Sequence, residues 1–223
     1  MRYKDSIIAY FDGCPKGNVV SANELYEAEF SRMSQAAFFK ALERLVKEGV
    51  LVRAAKGMYA KKSDIESDDV LNHFFGEDNM DGMYIGERLY AKYGLTTAES
   101  RDIWLYSTLI VKETCNIGKI HVKRVPVELN YDNTKIIEAL EILQNYDKIE
   151  NLNKDKFARY ARQFAKGYND TSAVNVINAM KYKKSTIAFM KRILDMYKVP
   201  NTLQQFLSYA SRYKVPAVAR VAR

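Results

Sequence analysis

The sequence predicts an α+β, mostly helical protein in two parts, and three observations carry that expectation. Residues 34–62 read as helix, stop and hairpin in that order. Residues 102–129 hold two β-prone runs, and from Thr134 onward apolar residues recur at helical spacing. The resulting division is an N-terminal domain over residues 1–62 and a C-terminal domain over residues 63–223, the latter a small β-sheet with a helical array.

In the first part, Tyr3 to Phe11 reads as a helix with Ile7, Ile8 and Phe11 as its apolar stripe, broken by Gly13, Pro15 and Gly17. Val19-Val20 suits a very short strand. Ser21 or Asn23 then caps a second helix containing Leu25, Tyr26 and Phe30, and Ser31 to Met33 forms a turn. Ser34 is a good N-cap for the third helix, and Gly49 sits where a helix takes a left-handed stop. Between them Phe39, Leu42, Leu45 and Val46 form the expected buried stripe, flanked by Phe38 and Ala36. At about 100° per residue the opposite face carries Ser34, Ala37, Lys40, Ala41 and Arg44. After the stop, VLVRA and MYAKK are two β-prone runs joined by Ala55-Lys56-Gly57, with Gly57 free to take positive φ. Three helices, a turn before the third and a closing hairpin make a winged helix-turn-helix.

That order assigns chemistry to residues. Ala37 and Ala41 are too small to hold the third helix away from base edges, while Lys40 and Arg44 can reach guanine or phosphate. Ser34 and Gln35 lie at the helix start, next to the same groove. On the hairpin, Arg53, Lys56, Gly57 and Lys61 form the expected wing, where phosphate contacts fix orientation without reading sequence. An amphipathic helix with a merely solvated outer face, followed by a hairpin, is the competing reading.

The second part opens on the acidic stretch SDIESDD, where Ser67 or Asp68 can start a helix running to Phe75. DNMDG reads as a turn, and Ile85, Leu89 and Ala91 to Tyr93 suit a short helix ended by Gly94. Asp102–Val111 and Lys119–Leu129 are the expected strands, with Asn116-Ile117-Gly118 as the bend between them. The helical stripes that follow are Ile136, Ile137, Leu140 and Leu143, then Phe157, Tyr160, Ala161 and Phe164, then Val174, Ile177 and Met180. Ile187, Met190, Ile193 and Leu194 come next, and Leu203, Phe206, Leu207 and Ala210 close the series.

The net charge of +8 is unevenly spread. Residues 1–62 hold 11 Lys+Arg against 7 Asp+Glu, residues 63–152 hold 9 against 17, and residues 153–223 hold 15 against 3. Nucleic acid is the commonest partner of such basic regions, and a well-solvated charged face is the alternative. In the basic last third, Lys181, Lys183, Lys184, Lys191 and Arg192 are the candidate nucleic-acid contacts. No apolar run reaches membrane-spanning length, the N-terminus lacks a secretory cleavage signal, and Cys14 and Cys115 lie far apart. A cytoplasmic protein with reduced thiols and no membrane partner is expected.

No catalytic motif emerges. There is no phosphate-binding Gly-rich Lys-Ser/Thr loop, zinc helix motif or nucleophile elbow, and His73 and His121 are the only histidines. Cys115 has no identifiable base, and Asp68-Asp69 and Glu77-Asp78 sit where capping explains them. Tyrosines interleaved with basic residues in the last third could stack single-stranded nucleic acid or simply edge the core. The expectation is a protein that is not an enzyme and has no cofactor or metal.

The segment ALERLVKEGVLVRAAKGMYA, with Tyr84-Ile85 and Tyr93-Gly94-Leu95-Thr96-Thr97 after it, resembles the AbiEi family of antitoxins, over roughly residues 1–130. The sequence departs from that pattern at Ala98-Glu99-Ser100, where relatives often carry a Gln and a Pro. The resemblance implies an antitoxin of the AbiE (type IV) toxin–antitoxin system linked to abortive phage infection. It implies repression of its own operon at inverted repeats in promoter DNA, and opposition to a nucleotidyltransferase-like toxin without a stable complex. A dimer or two monomers side by side would both satisfy an inverted repeat. Two other readings stay open at this point: a winged-helix transcription factor responding to a ligand or protein, and an RNA-binding or nuclease-like protein.

Overall fold

The computed structural model describes residues 3–15, 18–55, 57–61, 67–76, 78–110, 112–117 and 119–219. It is a mixed α+β fold, mostly helical, with two small sheets. The first part contains α1 (Tyr3–Gly13), β1 (Val20–Ser21), α2 (Ala22–Leu25), α3 (Gln35–Lys47), β2 (Leu51–Ala55) and β3 (Met58–Lys61). A single π-helical turn, Tyr26–Phe30, continues α2. Ser34 caps α3 as expected: its Oγ accepts from the Ala37 amide at 3.2 Å. Gly49 stops the helix at φ +72°, a left-handed conformation that a Cβ would strain.

One expectation about α3 is corrected. Phe38, Leu42 and Leu45 are fully buried, whereas Phe39 and Val46 are half-buried and Ala36 is exposed. The helix is therefore turned by roughly 50°, half a residue step, from the sequence-based wheel. Its cause is the aromatic pair before it. The Phe38 ring packs at 5.5 Å from Tyr26 and stacks at 5.3 Å on Phe30.

The three strands pair in the order β1-β3-β2, all antiparallel, with a bulge between Arg53 and Ala55. At the hairpin tip the Gly57 carbonyl accepts from the Ala22 amide at 2.8 Å, tying the tip to the start of α2. One face of this sheet puts Leu51 and Tyr59 into the core with Ile7, Phe11, Leu25 and Phe38. The other face, with Ala54, Met58 and Ala60, packs with Val19 against Leu71, Phe74, Ile110 and Ile117 of the second part. A continuous apolar seam thus crosses the expected boundary at residues 62 and 63.

The second part begins with α4 (Ser67–Phe75), β4 (Gly82–Ile85), α5 (Glu87–Lys92), β5 (Ile103–Ser107), β6 (Thr114–Ile117) and β7 (Ile120–Arg124). Its sheet runs β4-β5-β7-β6, with β5 and β7 parallel and the outer pairs antiparallel. Two strands here replace a helix start and a bend in the sequence reading. Tyr84-Ile85 belongs to β4, and Asn116-Ile117 to the edge strand β6. The two expected strands are also shorter. Ser107 turns the chain after β5, donating from Oγ to the Phe74 carbonyl at 2.8 Å and accepting from the Leu109 amide. Pro126, with no N–H to offer, follows soon after β7.

The helical array is α6 (Tyr131–Asn145), α7 (Lys154–Lys166), α8 (Asp170–Ala179) and α9 (Lys184–Met196). Residues 136–143 of α6 are buried all round, Glu138 and Glu141 included, because the helix lies between sheet and helices. The last expected stripe is corrected. A short 3-10 turn covers Leu203–Phe206, and residues 207–219 have no regular secondary structure. Tyr213 Oη accepts from the Ser208 amide, and Val215 and Val218 fold back onto the helical core, while Ala210 is exposed. Among the described residues no helix is long and apolar enough to cross a membrane.

Candidate nucleic-acid interface

Because α3 is turned about Phe38, its exposed arc is centred on Lys40 and Lys47. Glu43 and Ala36 form one shoulder, and Ala37 and Arg44 the other. Gln35 is exposed at the helix start, and Ser34 is exposed with its hydroxyl engaged in the cap. Ala41 is a correction: it is half-buried against the first core, on the flank rather than the outer face. Lys40, Arg44 and Lys47 have no ion-pair partner among the described residues. Three free cations on one short arc can meet phosphates or guanine edges without first breaking an internal contact.

On the hairpin, Arg53 is exposed on β2. Gly57 takes φ +85°, the positive value expected at the turn, and a Cβ there would meet nothing within 4 Å. Lys56 lies outside the described residues. Lys61 is a further correction. Its Nζ sits 2.6 Å from Asp12 Oδ1, because β3 ends beside α1, so its charge is already engaged.

In the last third, Lys181, Lys183 and Lys184 are exposed where α8 gives way to α9. The residue between them is held inward: Tyr182 packs against the helical core, and its hydroxyl interacts with Glu141 and Tyr106. Glu141 accepts from Tyr106 Oη at 3.0 Å. Burial pushes its carboxyl above the ordinary range, opposed by the Tyr106 hydroxyl, the Lys123 charge and the Tyr182 hydroxyl. One turn earlier on α6, Glu138 is bonded to Lys92 and Tyr93. Lys191 is not free, since its Nζ pairs with Asp195 at 2.6 Å, one helical turn along α9. Arg192 is exposed and donates to the Val215 carbonyl at 3.4 Å.

A cleft of about 1450 Å³ separates the Phe39–Glu43 shoulder of α3 from the second part. Glu24, Glu27 and Glu43 line its near side with Phe39 and Arg53, and Asn72, His73, Lys112 and Asn116 line its far side. Burial lowers the His73 imidazole below its ordinary range. His121 lies elsewhere, its ring stacked on Trp104 at 4.2 Å and its Nδ1 3.0 Å from Asn116 Oδ1. Burial raises the Cys115 thiol. Among the described residues no three His, Cys, Asp or Glu side chains converge to hold a metal ion.

Sequence reasoning missed Glu43 and Lys47 as members of the exposed arc. No local signal could have found them, because only the packing of Phe38 on Tyr26 and Phe30 sets the direction in which α3 faces. Sequence reasoning also missed Glu138 and Glu141 as buried charged residues, for which no local signal announces burial.

No protein-family model and no curated protein matches the chain. A solved structure of the RV2827C protein from Mycobacterium tuberculosis is similar over 87% of this chain and 77% of that one, at 12% identity and a TM-score of 0.42.

Proposed function

We propose that the chain is a DNA-binding regulator whose first part is a winged helix-turn-helix, with α3 as the recognition helix and the β2–β3 hairpin as the wing. The observation that carries this reading is the free basic arc of Lys40, Arg44 and Lys47 on a capped 13-residue helix, beside a sheet in the order β1-β3-β2. Such an arc is short of apolar bulk at Ala36 and Ala37, which lets a helix approach a major groove. With the resemblance of residues 1–130 to AbiEi antitoxins, the fuller proposal is an autorepressing antitoxin. It binds inverted repeats in its own promoter and opposes a nucleotidyltransferase-like toxin, and no catalysis by the chain is required. Lys181, Lys183, Lys184 and Arg192 add phosphate contacts in the same proposal.

The test has two arms. Mobility shifts compare duplex DNA from upstream of the chain's own gene with the two separated strands, and co-expression with a nucleotidyltransferase-like protein, sought in the neighbouring gene, measures growth. Duplex-selective binding with rescued growth is expected. Equal binding to single strands would support an RNA- or single-strand-binding protein instead. A regulator that responds to a ligand or protein is favoured by the cleft beside α3, which has the volume for a bound molecule. Duplex binding without any rescue of growth would support it.

A further inference from the structure

We propose that Glu43 is a base-selecting residue of α3, accepting from the exocyclic amine of a cytosine in the major groove. The inference rests on the DNA-binding reading above and deepens it. Glu43 is exposed and lies about 60° around the helix from Lys40, within the arc that faces outward. Lys47 stands one turn further on, in the favourable Glu-to-Lys order, yet no ion pair to Glu43 forms among the described residues. A free carboxylate therefore sits among free cations on a helix whose other charges suit a polyanion.

On electrostatics alone that carboxylate weakens binding to every duplex, so its use lies in selection. A carboxylate only accepts. Guanine offers N7 and O6, and thymine O4, all acceptors that repel it. Adenine offers an amine beside the N7 acceptor, whereas cytosine offers its N4 amine without one. Arg44 and Lys40 are donor-only groups suited to guanine. A donor-only shoulder and an acceptor-only shoulder on one helix together fit the two members of a G·C pair or of adjacent G·C pairs. Glu24 and Glu27 extend the negative shoulder along the cleft rim. They reinforce it by turning phosphates toward the Ala37–Arg44 side, but as neighbours on another helix they read no base.

The test is selection of the full chain against a randomised duplex DNA library, with Glu43→Gln and Glu27→Gln as variants and circular dichroism to confirm equal folding. Wild type is expected to enrich a G·C pair at a fixed position. Glu43→Gln should bind random duplex more tightly and lose about tenfold of the selected-to-random ratio at that pair. Glu27→Gln should strengthen binding to all duplexes alike and keep the preference. If Glu43→Gln selects the same sequences with an undiminished ratio, or if Glu27→Gln relaxes the preference equally, the assignment of Glu43 is overturned. A wild type that binds no duplex at any salt overturns instead the DNA-binding reading beneath it.

Discussion

Replacing Phe38 and Phe39 separately by alanine tests the rotation of α3 on which the interface depends. Phe38 has no exposed surface, and its ring meets Tyr26, Phe30 and Phe39 at 5.3–5.5 Å between centroids. Removing a wholly buried phenyl ring costs its transfer free energy and leaves a cavity, together about 3–5 kcal/mol. Phe39 is half-buried and borders the cleft, so its loss removes part of that area and one ring contact, about 1–1.5 kcal/mol. For a chain of this size, with a urea m-value of about 2–3 kcal/mol/M, the midpoint should fall by about 1–2.5 M for Phe38→Ala. The fall for Phe39→Ala should be about half a molar. Urea unfolding followed by far-UV circular dichroism and by tyrosine fluorescence gives both values. If Phe39→Ala is the costlier change, the helix faces the way its sequence pattern first indicated, and Glu43 leaves the exposed arc.

Ser34→Ala removes the cap on α3 and should cost about 0.5–2 kcal/mol in the same unfolding assay. Gly57→Ala meets no steric obstacle, so its cost of about 1–2 kcal/mol comes from the left-handed backbone alone, and Gly57→Asn should recover part of it. Lys61→Ala breaks an exposed pair with Asp12 and should change stability by less than about 1 kcal/mol, with duplex binding unaltered. Glu141 gives a pH signature. Its carboxyl is raised chiefly by burial, so the folded chain holds the proton more tightly than the unfolded chain does. That contribution is complete below the ordinary carboxyl range and is lost as pH rises through the folded value. Glu141→Gln should flatten the stability profile above about pH 4.5 and leave neutral-pH stability equal or higher; a Gln variant with an unchanged profile would show that another group titrates there.

Much of the first part was legible because its signals are local. Ser34 and Gly49 mark both ends of α3, and Gly57 marks the hairpin turn, each through backbone chemistry that neighbours do not alter. The direction in which α3 faces was not local. Phe38 and Phe39 are adjacent and equally apolar, and only packing against Tyr26 and Phe30 decides between them. Asn116-Ile117-Gly118 reads as a bend because Asn and Gly are disfavoured in strands; pairing of Asn116 and Ile117 with β7 supplies what their local preference lacks. Charge was the least transparent property. Lys61 looks the same in sequence as Lys40, yet Asp12 from α1 engages it, whereas the Asp195 that engages Lys191 stands four residues on in the same helix. Of the interface residues, Ala37, Lys40 and Arg44 could be placed on the outer face of α3 by periodicity and Ala41 could not, while the availability of each cation required its neighbours in space.

The most direct measurement is the salt dependence of full-length binding to a fluorescent duplex carrying the sequence upstream of the chain's own gene. With α3 and its cations at the phosphates, log K should fall linearly with log salt, and Lys40→Ala and Lys47→Ala should each lower the slope by about 0.9. Arg44→Ala should lose about 1–3 kcal/mol against the selected site and less against random duplex. Three variants with the affinity and slope of wild type would contradict the account, since the exposed arc of α3 would then take no part in binding.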